Sequence, residues 1–183
     1  MAKSVVLIGM MGAGKSSVGR CLQRRTGLAS FDTDEIVASK FGMSIPEIFA
    51  KHGEEEFRKS ETEALRRLPT TKQAIIITGG GILLRDQNVE ILKHRGMVVW
   101  LDGERETLFN RASKSANRPL LQGENPRQAF AQLLETRLPL YAKAAHLRID
   151  TSALTDEEVA VAILSKVRRI NPERVSTIHA TAP

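Results

Sequence analysis

The sequence predicts an α/β fold in which a five-stranded parallel sheet is covered by helices on both faces. Three observations predict it. Short apolar runs alternate with helical patterns through the first 170 residues. The run at 74–78, Ala-Ile-Ile-Ile-Thr, shows no polar alternation, as in strands buried on both faces. Glycines or acids follow the first three runs directly, and ligands of such sheets sit beyond the carboxyl ends of the strands. The 183 residues suit one domain, here residues 1–170, with 171–183 as a patternless, flexible tail.

The elements follow in order. Val5-Val6-Leu7-Ile8 is the first strand, and Val18 and Leu22 mark a helix that runs to about Arg25 and stops near Gly27. Residues 28–31 form a second strand ending in Asp32-Thr33-Asp34. A helix with Ile36, Val37 and Phe41 closes at Gly42. Ser44-Ile45-Pro46-Glu47 is a capping box with proline in the first turn, and Gly53 breaks the short helix it starts. A longer helix spans 54–68 and stops before Pro69. After the third strand at 74–78, residues 88–93 are helical and 97–101 are the fourth strand. A helix carrying Leu108 and Arg111 precedes a polar, aperiodic stretch at 113–126. Helical pattern resumes at about 127–137 and again at 140–145, and residues 147–150 are the fifth strand. Thr155-x-x-Glu158 is a second capping box, opening a helix with Val159, Ile163, Val167 and Ile170 on one stripe.

Composition narrows the function classes. The net charge of +6 favours anionic partners: a nucleotide, an acidic metabolite or RNA. Aromatic residues are only 4% and the positive charges are scattered, which argues against a nucleic-acid surface. The single cysteine, Cys21, excludes an internal disulfide and fits a reducing cytoplasm; it reads as a core residue. The four histidines show no metal-ligand spacing. No signal peptide precedes the first strand, and no apolar stretch approaches the ~20 residues of a membrane span.

The chemistry gathers around Gly9-Met10-Met11-Gly12-Ala13-Gly14-Lys15-Ser16, which matches the phosphate-binding P-loop pattern in its strand–loop–helix context. Its glycines let backbone N–H groups turn toward phosphate oxygens, and the following helix points its N-terminus at them. Lys15 can reach the β- and γ-phosphates, and the Ser16 hydroxyl can ligate Mg²⁺. Asp32 and Asp34 can divide two tasks, one facing the metal and one accepting a hydroxyl proton; they can equally be a helix cap and a first-turn acid. Asp102, after the fourth strand, is a rival metal acid that spacing does not exclude. Glu54, Phe57, Arg58 and Glu61 share one helix face, either as a solvated ladder or as a positioned guanidinium for a substrate carboxylate. Arg137 can supply a second guanidinium. Gly79-Gly80-Gly81 directly after a buried strand means a close backbone approach or a tight turn. Asn117-Arg118-Pro119-Leu120-Leu121 lies in a loop long enough to act as a mobile lid, about residues 113–126, bringing Arg118 to the phosphates.

These pieces, in this order over residues 5–170, resemble the shikimate kinases, in the nucleoside-monophosphate-kinase-like branch of P-loop folds. The matching motifs are Gly-Met-Met-Gly-Ala-Gly-Lys-Ser-Ser, Phe31-Asp-Thr-Asp34, Ser44-Ile45-x-Glu47-Ile48-Phe49, Gly53-Glu-x-x-Phe57-Arg58-x-x-Glu61, Thr78-Gly-Gly-Gly81, Arg118-Pro-Leu-Leu121 and Arg137-x-Pro-Leu-Tyr141. The resemblance implies strand order 2-3-1-4-5 and transfer of the ATP γ-phosphoryl group to the 3-hydroxyl of shikimate, with Mg²⁺, in aromatic amino-acid biosynthesis. It implies Asp34 as base and hydroxyl ligand, with Lys15 and Arg118 completing the catalytic set. ATP would contact Gly12, Ala13, Gly14, Lys15, Ser16, Ser17, Arg111, Arg118 and Leu154. Shikimate would contact Asp34, Arg58, Arg137, Glu61 and the backbone of Gly79, Gly80 and Gly81, between Phe49 and Phe57. Ser16 and Asp32 would serve Mg²⁺. Ser17 stands where the family more often has threonine, which keeps a hydroxyl. A cytoplasmic monomer without nucleic-acid or membrane partners is expected. The alternative is a related small-molecule kinase such as a gluconate kinase, which needs no paired arginine clamp of the Arg58 and Arg137 kind.

Overall fold

The computed structural model describes residues 4–114, 119–121 and 123–170. Asn117 and Arg118, the core of the expected lid, and the expected tail at 171–183 lie outside the described residues. Five strands, β1 (Ser4–Ile8), β2 (Ala29–Asp32), β3 (Ala74–Ile77), β4 (Gly96–Asp102) and β5 (Leu147–Asp150), form one sheet in the order β2-β3-β1-β4-β5. Every pairing is parallel, with Leu7 opposite Ile77 and Ile8 opposite Trp100 in register. The order is the one the resemblance implies. It places the ends of β1, β2 and β3 beside one another, so the loops that follow them share one edge of the sheet.

The central strands are uniformly apolar because neither face meets water: every residue of β1, β3 and β4 is buried. Around them lie α1 (Lys15–Thr26), α2 (Thr33–Phe41), α3 (Ile45–Arg67), α4 (Asp86–Arg95), α5 (Arg105–Ala112), α6 (Pro126–Ala144) and α7 (Asp156–Ile170). Both expected capping boxes form. Glu47 accepts from the Ser44 amide at 2.8 Å, and Glu158 accepts from the Thr155 amide at 2.8 Å. On α7, Val159 and Ile163 are buried and Val167 packs on the core, while the Ile170 side chain lies outside the described residues.

Three expectations need correction. The second strand starts one residue later than expected, at Ala29, and Leu28 packs on the core instead. The third strand stops at Ile77; Thr78 makes the last contact with β1, its amide and hydroxyl both donating to the Leu7 carbonyl, before the glycine turn leads the chain away. The helical patterns at 127–137 and 140–145 are one helix that runs through Pro139. A proline inside a helix removes a hydrogen bond and crowds the preceding turn. Here Phe130, Leu134, Arg137, Tyr141 and Ala144 line one buried stripe across it, and that burial outweighs the local cost. Gly53 does break helical geometry, with φ 78° and ψ 167°, yet the two expected helices abut there without a linker and form the kinked α3.

Candidate active site

A cleft of about 710 Å³ opens over the carboxyl ends of β1, β2 and β3. Met11, Gly12, Gly14, Lys15, Ser16 and Ser17 form its floor. Gly14 takes a left-handed conformation (φ 83°) that starts α1 and turns its N-terminus into the cleft. Lys15 donates to the carbonyls of Gly9 at 2.8 Å and Met10 at 3.0 Å, so its ammonium lies along the loop. Ala13 is buried behind the loop and does not line the cleft.

Asp32 ties two parts of the site together. Its Oδ2 accepts from the Ser16 hydroxyl at 3.2 Å, and its Oδ1 accepts from the Asp34 amide at 3.0 Å, capping α2. The cap reading therefore holds, and the other oxygen is turned toward Ser16 and the phosphate-binding loop. Asp102 sits elsewhere. It is buried at the end of β4, accepts from Arg148 Nε at 2.8 Å, and does not line the cleft. Among the described residues, no group of three or more His, Cys, Asp and Glu side chains could hold a metal ion. Ser16 and Asp32 do fit Mg²⁺, which binds hard oxygens and relies on phosphate oxygens and water for much of its shell.

Across the cleft the charged side chains are buried. Arg58, expected as either a surface ladder or a positioned group, is 7% exposed, so the solvated ladder is excluded. Glu61 is fully buried, and its Oε2 accepts from Arg58 Nη1 at 2.5 Å; Glu54 accepts from Arg58 Nη2 at 2.8 Å. Burial pushes the Glu61 carboxyl up to about 7; Arg58 opposes the shift and Asp34 reinforces it. Glu61 stands behind Arg58 and does not line the cleft. Arg137 is 3% exposed, and burial lowers its pKa. Among the described residues no carboxylate comes within ion-pair distance of Arg137. Phe49 and Phe57, with ring centroids 4.9 Å apart, wall the same end.

The three glycines are the point of closest approach. A Cβ on Gly79 would stand 2.4 Å from Glu61 Oε1 and 2.5 Å from Asp34 Oδ1, and one on Gly81 would stand 2.5 Å from the Arg58 guanidinium carbon. The turn is glycine because these charged groups crowd it. At the other end, Arg111 donates to the carbonyls of Thr151 at 3.0 Å and Ser152 at 3.2 Å, and lines the cleft with Leu154.

The structure thus brings together Lys15, Ser16, Asp32, Asp34, Arg58, Arg137, the glycine turn and the Arg111–Leu154 end. Lys114, Pro119 and Leu120, from the stretch expected as a lid, also line it, as do Thr155 and Asp156 beside Leu154. Lys114 carries no motif, so only its place beside the cleft reveals it.

A model of the family described as shikimate kinase matches residues 11–168. The chain is 43% identical over 169 residues to the shikimate kinase of Thermodesulfovibrio yellowstonii, covering 92% of this chain and 97% of that one. It is 42% identical over 167 residues to the shikimate kinase of Symbiobacterium thermophilum, covering 90% and 96%. Among solved structures, the shikimate kinase from Acinetobacter baumannii in complex with shikimate superposes with a TM-score of 0.89 at 40% identity, over 93% of this chain and 96% of that one. A sugar kinase from Janibacter shares the fold at a TM-score of 0.59 and 20% identity.

Proposed function

Because this chain belongs to the shikimate kinase family, we propose that it transfers the γ-phosphoryl group of ATP to the 3-hydroxyl of shikimate, releasing shikimate 3-phosphate and ADP. The observation that carries the reading is the pair Arg58 and Arg137. Both guanidiniums are buried, both line the cleft that holds Lys15 and Asp34, and Arg137 has no carboxylate of the protein beside it among the described residues. A buried guanidinium is costly unless an anion meets it, and the planar fork fits a carboxylate. A carboxylated polyol supplies that anion. The gluconate kinase alternative is not favoured, since the relatives named above are shikimate kinases.

In this reading Arg58 and Arg137 grip the shikimate carboxylate, with Glu61 holding Arg58 in place. The backbone of Gly79, Gly80 and Gly81 passes along the ring, and Phe49 and Phe57 wall it. Asp34 accepts the proton of the 3-hydroxyl as its oxygen bonds to the γ-phosphorus and the bond to the ADP oxygen breaks. The Gly12–Ser17 loop cradles the phosphates, Lys15 balances charge on the β- and γ-oxygens, and Arg111 and Leu154 flank adenine. Arg118 completes the charge from the lid at about 113–126. Ser16 and Asp32 would hold Mg²⁺, which neutralises phosphate charge when bound. Residues 1–170 act as one domain in a cytoplasmic monomer without nucleic-acid or membrane partners. No helix among the described residues is long and apolar enough to cross a membrane.

The test is ADP release from Mg-ATP with shikimate, with gluconate and with neither. Turnover well above background with shikimate alone is expected; equal background rates in all three would overturn the reading.

A further inference from the structure

We propose that Thr33 and Tyr141 are positioning residues that peg the Gly79–Gly81 turn from opposite sides, setting it in register between Asp34 and Arg137. The inference rests on the reading that this turn lies along the substrate ring.

Three consecutive glycines are the least restricted backbone a chain can offer, so something outside the turn must hold it. Its entry is anchored by Thr78, whose amide and hydroxyl donate to the Leu7 carbonyl at 3.2 and 3.0 Å. Its exit closes on itself, with the Ile82 amide donating to the Gly79 carbonyl at 3.2 Å. Between them, two side chains from distant elements reach in. The Gly79 amide donates to Thr33 Oγ1 at 3.1 Å, and Tyr141 Oη donates to the Gly80 carbonyl at 2.5 Å.

Both pegs are rigid. Thr33 is fully buried, and Tyr141 is 1% exposed with its ring 5.9 Å from that of Trp100. A buried hydroxyl in such a setting has few other partners, so each bond is costly to break.

The placement of the pegs gives them their function. Thr33 lies between Asp32 and Asp34 at the start of α2, so the element that carries the base also holds Gly79. Tyr141 lies one helical turn beyond Arg137 on α6. A Cβ on Gly80 would stand 3.4 Å from Arg137 Nη1, so the same helix fixes the guanidinium and the carbonyl beside it. The turn is thereby tied to both charged elements. Its slack would separate the base from the carboxylate clamp without touching the nucleotide end of the cleft.

The experiment compares Thr33→Val, which keeps shape and removes the acceptor, Thr33→Ser, which keeps the acceptor, and Tyr141→Phe, which keeps the ring. Steady-state kinetics give KM for shikimate and for ATP separately. Hydrogen exchange read by mass spectrometry follows the amides of residues 79–84 in the substrate-free protein. Thr33→Val and Tyr141→Phe should each raise the shikimate KM at least about fivefold, with the ATP KM within about twofold and faster exchange at 79–84. Thr33→Ser should stay near wild type in all three. If Thr33→Val does not fold, Thr33→Ala and Tyr141→Phe carry the same comparison. Parallel rises in both KM values, or unchanged exchange at 79–84, would overturn the pegs and leave two ordinary core hydrogen bonds. If the wild-type chain shows no shikimate-dependent turnover, the proposed function falls, and the exchange measurement still decides the pegs.

Discussion

Arg58 and Glu61 meet inside the protein, with Nη1 and Oε2 2.5 Å apart on one face of α3. The carboxylate is wholly buried and the guanidinium nearly so. Such a pair contributes little net stability, because desolvation offsets most of the attraction. It does fix the direction in which the remaining guanidinium edge points.

That direction leads to the first prediction. Arg58→Lys keeps the charge and loses the planar fork, so shikimate binding should weaken by about 1.5–3 kcal/mol. ATP binding should change little. An unchanged shikimate KM would assign Arg58 to packing alone.

Glu61 gives a stability prediction with a definite sign. Its folded value of about 7 lies above the ordinary 4.5, so the folded state holds a proton that the unfolded state releases. The contribution is complete below about pH 4.5 and is lost as pH rises through about 7, with a ceiling on the order of 3 kcal/mol. Urea unfolding across that window should show the decline in the wild type, and Glu61→Gln should flatten it. A decline of equal slope in both proteins would place its origin elsewhere.

The position of two aspartates relative to the cleft gives a prediction about the metal acid. Asp32 accepts from Ser16 and faces the phosphate-binding loop, whereas Asp102 is engaged by Arg148 outside it. Asp32→Asn should raise the Mg²⁺ concentration for half-maximal rate at least about tenfold, and Asp102→Asn should leave it within about twofold. The reverse ranking would move the metal to the end of β4.

Arg118 makes a kinetic prediction that follows from its sequence setting alone. If it arrives at the phosphates only in the closed complex, Arg118→Ala should lower kcat and kcat/KM together by more than about 10², with KM nearly constant. A wild-type kcat would leave Lys15 as the cation serving the γ-phosphate.

Arg95 makes a prediction about the scaffold. Its guanidinium donates to the carbonyls of Leu65 at 2.8 Å, Arg66 at 3.2 Å, Leu68 at 2.6 Å and Pro69 at 3.0 Å, closing the C-terminal end of α3 and the two residues that follow it. Arg95→Ala should cost about 1–2 kcal/mol in urea unfolding, with substrate KM values unchanged. A loss of activity at full stability would point to a role in the site instead.

Much of this protein was legible in its sequence because the signals are local. The Gly-x4-Gly-Lys-Ser loop, the two capping boxes and the glycine that ends α1 each act within a few residues, so their residues stand where the spacing puts them. Asp32, Asp34 and the glycine turn followed from one topological rule, that parallel strands deliver their carboxyl ends to a common edge. Tertiary structure decided what depends on distant neighbours. Spacing alone left Arg58 as either a surface ladder or a positioned guanidinium, since both have the same periodicity; packing of α3 buried it at the cleft and excluded the ladder. Pro139 signalled a helix break, and a buried stripe on α6 overrode it. Asp32 and Asp102 were equivalent as acids at strand ends until Arg148 engaged one and Ser16 the other. Thr33 and Tyr141 gave no chemical signal, because a hydroxyl gains a role only when a backbone group from a remote element lies within about 3 Å of it. Periodicity records which face of an element avoids water, and only the folded chain determines what that face meets.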